Sequence, residues 1–301
     1  MTLQTALEEF LYSRQLAGLE STTVVNYRRT LSLMINYVGV DVSIQEVTFQ
    51  MVSDYIMNLY DQKLSRATVS SYVRNTKIFF RWVSDEYGLA FDALKIKVPK
   101  SPKKIVRIYT DAEIKLIFSL TKSHIPWITI RNQLIIALML DSGIRQLEVC
   151  NLTHDNINRE SLVMKVTGKG SKDRFVSLGQ TSLTLLNRYL SLCPYKNCKY
   201  VFCDRFGNQL SGNAIRLFVN RVERQLGFPL SSHKLRHNFA TNFCIDNVRK
   251  TGKSHVYDLS ILMGHESIET TKKYEHFAHE IIAAENTISH LDNVFDLCNP
   301  V

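Results

Sequence analysis

A run of apolar residues long enough to span a bilayer, a basic N-terminal lead and a paired-cysteine motif are all missing from this 301-residue chain. The longest strongly apolar run, Leu134 to Leu140, falls far short of the roughly 20 residues that a membrane helix needs. The N-terminus, MTLQTALEEF, has acids where a secretory leader has positive charge. No two of the six cysteines (Cys150, Cys193, Cys198, Cys203, Cys244 and Cys298) have CxxC spacing, so a disulfide framework is not indicated and an intracellular protein would keep them reduced. Cys193, Cys198 and Cys203 are evenly placed, but not as in a zinc knuckle. There is no internal repeat and no low-complexity segment. What the chain does have is a surplus of cations: 37 Lys and Arg against 28 Asp and Glu, a formal charge of +9. Such a balance favours a polyanionic partner, and without a membrane signal that partner is nucleic acid.

Residues 1–91 read as four helices. The first ends at Gly18, and Ser21-Thr22-Thr23 caps a second that runs to Gly39. Thr48 and Ser65 cap the third and fourth, the last stopping at Gly88. On the fourth, Val69, Val73, Thr76, Phe80 and Val83 recur at helical spacing as a core face. Arg66, Ser70, Arg74, Lys77 and Arg81 make an adjacent stripe without an acid, a solvated face or one that meets DNA phosphates. Residues 92–108 hold two prolines, five lysines, one arginine and one acid, which reads as an extended basic linker. Lys100, Lys103 and Lys104 would neutralise phosphates as it crosses a duplex.

A second domain, 109–301, opens on the capping box Thr110-Asp111-Ala112-Glu113. A helix over about 130–142 ends at Gly143, and a helical turn carries RQLEVCNL. LVMKV and RFVSL alternate as two strands of a hairpin around TGKGSKD, and YVFCD reads as a further strand. The expected class is mostly α with a small β-sheet, α+β in character.

The chemistry concentrates between His233 and Tyr274. His233 and Arg236 stand three apart on a helix and therefore share a face. A guanidinium is a planar, permanently charged fork suited to phosphate oxygens, and a tyrosine hydroxyl beside it can serve as a nucleophile. His233 and His237 are four apart, as in a zinc HExxH site, but Lys234 and Arg236 stand where acids are wanted. TGKGSK lacks the context of a phosphate-binding loop between a strand and a helix. His237 itself reads as a structural hydrogen-bonder.

Five motifs in order, GIRQLE, GKG, HKLRH, GH and TTKKYEH, resemble the tyrosine recombinase (phage integrase) family, in its short Xer-like branch. The resemblance covers nearly the whole chain. It implies a SAM-like, four-helix core-binding domain followed by the family's catalytic domain, and a site-specific DNA recombinase working through a 3′-phosphotyrosine intermediate. Tyr274 would attack the scissile phosphate. Arg145 and Arg236 would hold its non-bridging oxygens, Lys169 would protonate the leaving 5′-oxygen, and His233 would assist proton transfer at the tyrosine side. His265 would bond the phosphate, Glu148 would support Arg145 and His233, and Lys172 in the same hairpin turn would meet DNA. Neither metal nor ATP is expected.

The implied partners are double-stranded DNA with inverted-repeat core sites and a second pair of copies, as a cyclic tetramer on two sites, with an accessory or directionality factor as an option. The location would be cytoplasmic. A helix over about 279–297, with Ile281, Ala284, Ile288, Leu291 and Phe295 on one face, would dock either on its own domain or in a neighbouring subunit. The chain departs from the family at residues 246–260, expected as an enlarged surface loop. Mobile-element work leads among the tasks, with Xer-type dimer resolution, a catalytically silent DNA-binding relative and a type IB topoisomerase as alternatives.

Overall fold

The computed structural model describes residues 1–89, 91–100, 107–168, 170 and 172–285. Contacts divide the chain into two units, Met1–Lys104 and Ile105–Val301.

In the first unit, α1 (Leu3–Leu16), α2 (Ser21–Val38), α3 (Phe49–Asp61) and α4 (Arg66–Tyr87) surround one apolar core. The hydroxyls of Thr2, Thr48 and Ser65 accept the backbone N–H three residues on, each a cap worth about 1 kcal/mol. Helix α2 differs from the expectation: Ser21 to Thr23 lie inside it, and Glu20 holds the N-cap position without a side-chain bond. Val69, Val73, Thr76, Phe80 and Val83 are buried as α4 packs.

The neighbouring polar stripe is less uniform than its spacing suggests. Arg66 and Arg74 are exposed, but Ser70 is buried. Arg81 lies 3.9 Å from Asp85, one turn on. The Lys77 ammonium donates to the carbonyls of Leu94 (3.3 Å) and Ile96 (2.9 Å). Those carbonyls belong to a 3-10 turn, Ala93–Lys95, whose Ala93 and following Ile96 are buried in the same core. The first unit thus continues past residue 91, because apolar side chains between the lysines anchor the start of the stretch read as linker. Lys100 is exposed; Lys103 and Lys104 lie outside the described residues.

The second unit is built around α6 (Pro126–Asp141), which is buried on nearly every side and packs against α8 (Gln180–Leu192) and α10 (Ser232–Thr251). It starts earlier than expected, with Pro126 in its first turn, where a missing N–H costs nothing. Before it, α5 (Asp111–Ser119) begins with the complete Thr110/Glu113 capping box. The hairpin pairs β2 (Val163–Thr167) antiparallel with β3 (Asp173–Ser177), Met164 opposite Val176 and Val166 opposite Arg174. A short β1 (Ile157–Asn158) completes a three-stranded antiparallel sheet. YVFCD is not a strand: Tyr200 and Cys203 form only isolated bridges, to Thr153 and Gln209. Cys193 and Cys203 are buried with their sulfurs 3.5 Å apart.

Helices α7 (Gln146–Asn151), α9 (Gly212–Glu223), α11 (Val256–Met263) and α12 (Glu269–Glu285) complete the described part. Residues 246–260 are not an enlarged loop. Helix α10 runs on to Thr251 and stops at left-handed Gly252, and α11 starts at Val256. The buried Ile245 and Leu259 hold the ends of these helices in a small core with Cys244, Met263, Tyr274 and Ala278. Nor is there a separate helix after the tyrosine: residues up to Glu285 continue α12, and Ile281 packs on that same core. Residues 286–297 of the expected tail helix lie outside the described residues.

Candidate active site

Each element that enters the site is stopped or bent at a glycine. After α6 the chain turns at Gly143, φ +60°, where a Cβ would run into the Phe239 ring. The turn delivers Arg145 to the N-cap of α7. The Glu148 carboxylate accepts the Arg145 backbone N–H (2.7 Å) and one guanidinium nitrogen (2.9 Å), while the other guanidinium nitrogen donates to the carbonyl of Gly264 (2.9 Å). Gly264, again left-handed, ends α11 and places His265 beside Arg145.

Glu148 has a second guanidinium that the motifs did not reveal. Arg174, on β3, donates through both terminal nitrogens to the two carboxylate oxygens, 2.7 Å each, and through Nε to the carbonyl of Leu262, 2.7 Å. The Arg174 and Glu148 side chains are 8% and 3% exposed. Burial alone would raise the Glu148 carboxyl, but Arg174 and Arg145 hold it below the ordinary carboxylate range. The sequence did hold a signal: on a strand of period two, Arg174 falls on the same face as buried Val176 and Leu178. A charged residue on a core face needs a partner.

Arg236 enters from α10, buried, and donates to the carbonyls of Gly143 and Met263. Burial and the facing Arg145 bring its pKa down to about 10. His233, one turn earlier, faces the open side. Desolvation, then Lys273, Arg236 and Arg145, lowers its pKa. His265 bonds Thr271 through Nδ1 (2.7 Å), and its ring lies nearly parallel to that of Tyr274, centroids 6.3 Å apart. Its pKa falls to about 4 through burial and the cations around it, Arg236 first.

Thr271, Tyr274 and Ala278 form the buried stripe of α12, so the tyrosine is oriented by core packing. Tyr274 is 1% exposed, and burial raises its phenol to about 12, even with Arg236 and Arg145 pulling the other way. The ring bonded to its hydroxyl is His237, through Nδ1, rather than the expected His233. Lys273, also unforeseen, holds its ammonium 4.9 Å from the Tyr274 ring centroid.

Arg145, His233, Arg236, His265, Lys273 and Tyr274 line one open cavity of about 550 Å³. A second cavity, about 620 Å³, shares Arg145 and His265 and adds Lys172 and Arg174. Lys169 lies outside the described residues. The site therefore presents a ring of cations around a buried hydroxyl, an arrangement suited to a phosphodiester.

Residues 107–280 match the phage integrase family, and residues 6–88 match the N-terminal SAM-like domain of phage integrases. The chain belongs to the phage integrase family. It is a site-specific DNA recombinase of the Xer-like tyrosine recombinase type. Among its relatives, the tyrosine recombinase XerC of Alcanivorax borkumensis is 29% identical, the match covering 81% of this chain and 76% of that protein. XerA of Pyrococcus horikoshii is 28% identical, over 89% of this chain and 87% of that protein. The fold matches a Tn1549 transposon integrase solved with a circular intermediate DNA, at TM-score 0.75 and 15% identity, over 95% of this chain and 99% of the other. It also matches a lambda integrase dimer bound to a core site, at TM-score 0.73 and 17% identity, over 91% of this chain and 77% of the other. No helix among the described residues is long and apolar enough to cross a membrane.

Proposed function

We propose that this recombinase cuts and rejoins DNA through Tyr274, in the service of a mobile element. The observation that carries the catalytic reading is the single cavity in which Tyr274 meets Arg145, Arg236, His233 and His265. A scissile phosphate there would place its non-bridging oxygens against the two guanidiniums, whose charge balances the transition state. The Tyr274 oxygen forms a bond to phosphorus as the bond to the 5′-oxygen breaks, and Lys169 protonates that leaving oxygen. The 3′-phosphotyrosine retains the energy of the phosphodiester, so attack by a 5′-hydroxyl reseals the strand without ATP. With cationic side chains at the phosphate, a metal ion has no charge left to neutralise.

The partner is duplex DNA with inverted-repeat core sites, engaged in the cytoplasm by four copies on two sites, with an accessory or directionality factor as an optional component. Support for DNA contact comes from the exposed Arg66, Arg74, Lys100 and Lys172. Xer-type dimer resolution is the second reading, favoured by the XerC and XerA relatives.

The test is covalent trapping. Nicked duplexes from the DNA flanking the gene are incubated with the protein in EDTA, without ATP, and run on denaturing gels. A protein–DNA adduct that disappears in Tyr274→Phe is expected. An adduct that survives in that variant would reject Tyr274 as the nucleophile, and one that needs added metal would reject the metal-free mechanism.

A further inference from the structure

We infer that His237 is the proton acceptor for Tyr274: its Nδ1 takes the phenolic proton as the tyrosine oxygen attacks phosphorus, and returns it when the strand is rejoined. The inference rests on the reading of Tyr274 as the nucleophile. Its basis is contact: the only described ring nitrogen on the Tyr274 hydroxyl is His237 Nδ1, with ring centroids 5.3 Å apart. His233, the histidine of the family motif, is displaced by one helical turn. It meets the His237 ring edge-to-face at 4.0 Å and faces the cavity where a phosphate would lie.

Burial gives the contact its role. A hydroxyl on a residue 1% exposed loses its proton most readily to a group already bonded to it. The groups facing His237 are His233 and Arg236 on its own helix, Lys273 beside Tyr274 on α12, and His265 from the turn before α12. Desolvation first, then this crowd of cationic and ionisable groups, keeps the free imidazole neutral, its pKa drawn down to about 3. With its proton on Nε2, Nδ1 is an open acceptor, and the tyrosine stays protonated and held in place. An entering phosphodiester brings one negative charge and its transition state a second, next to the same cations. The electrostatic obstacle to an imidazolium at His237 then falls as the reaction proceeds. The base is thus idle without DNA and competent with it.

The step balances. The O–H proton of Tyr274 moves to Nδ1, the phenolic oxygen bonds to phosphorus, and the phosphorus–5′-oxygen bond breaks with its electron pair on the leaving oxygen. That oxygen takes its proton from a separate donor, Lys169 in the reading above. Resealing runs each transfer backwards.

Two variants separate proton acceptance from mere tethering. His237→Ala removes both; His237→Asn can still hydrogen-bond the hydroxyl but cannot hold a proton near neutral pH. Single-turnover adduct formation is followed on the nicked duplex that traps the wild-type protein, from pH 6 to pH 9, alongside melting temperature and DNA affinity. Both variants should form adduct about 10²–10³-fold more slowly at neutral pH while still binding DNA. The deficit should narrow as hydroxide becomes available, and added imidazole should speed His237→Ala. Wild-type rates in His237→Asn would reduce the ring to a tether and overturn the inference. So would a His237→Ala deficit that stays constant with pH and ignores imidazole in a variant that melts normally. Loss of the adduct in Tyr274→Phe is scored separately, so failure of the nucleophile reading is not confused with failure of this one.

Discussion

Replacing Arg174 by Met should unseat the active site from outside the cation set that the motifs define. The substitution keeps an unbranched apolar stem against the sheet but removes three hydrogen bonds, two to Glu148 and one to the Leu262 carbonyl. Breaking a buried ion pair by deleting one partner costs about 3–5 kcal/mol, because the other charge is left buried. Glu148 would keep its two bonds from Arg145, so the lower end, about 3 kcal/mol, is expected. For a folding unit of this size that is a fall in melting temperature of roughly 6–12 °C. The assay is calorimetry on Arg174→Met, Glu148→Leu and the double variant. The double variant should be markedly less destabilised than the sum of the singles, since it leaves neither charge buried alone. A loss below about 1 kcal/mol in Arg174→Met, or additivity within about 0.5 kcal/mol, would show that the pair is not what holds β3 to the Arg145 turn.

Three further outcomes are expected. Gly143→Ala combines a left-handed backbone with a collision at Phe239; it should destabilise by about 1–3 kcal/mol. Because the Gly143 carbonyl also holds Arg236, adduct formation should fall with stability, and a variant that melts and cleaves normally would contradict the geometry. His237 and His265 have folded-state pKa values of about 3 and 4, below their ordinary 6.5. Between those values and pH 6.5 the unfolded chain binds protons that the folded chain refuses, so stability should fall as pH drops from 6.5 towards 4; melting scans should show a smaller acid loss in His237→Asn, and an unchanged loss would count against a neutral buried imidazole. Arg74→Gln should flatten the dependence of DNA affinity on salt by about 0.9 in log–log slope, if Arg74 meets one phosphate, whereas Lys77→Met should leave that slope alone and lower the melting temperature. Identical salt slopes for Arg74→Gln and wild type would remove Arg74 from the DNA-contacting set.

Much of the site is written in local sequence because its chemistry depends on short spacings. Arg145 and Glu148 are bound to each other within one turn, and His233 and Arg236 share a helix face. The helix starts at Thr48, Ser65 and Thr110 and the stops at Gly39, Gly88 and Gly252 are equally local, since a cap or a left-handed residue acts within a few positions. The misreadings arise where burial outweighs local composition. Residues 246–260 look polar and basic, yet Ile245 and Leu259 draw their ends into a core that keeps them largely helical. Ala93 and Ile96 do the same for the start of a lysine-rich stretch.

By itself, then, the sequence determined the two helical and mixed segments, the family and the order of cations leading to Tyr274, because these rest on periodicity, capping and motif spacing. Only the tertiary structure decided which imidazole reaches the Tyr274 hydroxyl and which arginine closes on Glu148. His237 and Tyr274 are 37 positions apart, and Arg174 and Glu148 are 26 apart. Contacts over such separations follow from how helices and strands pack around α6 and α10, and no local pattern encodes that packing.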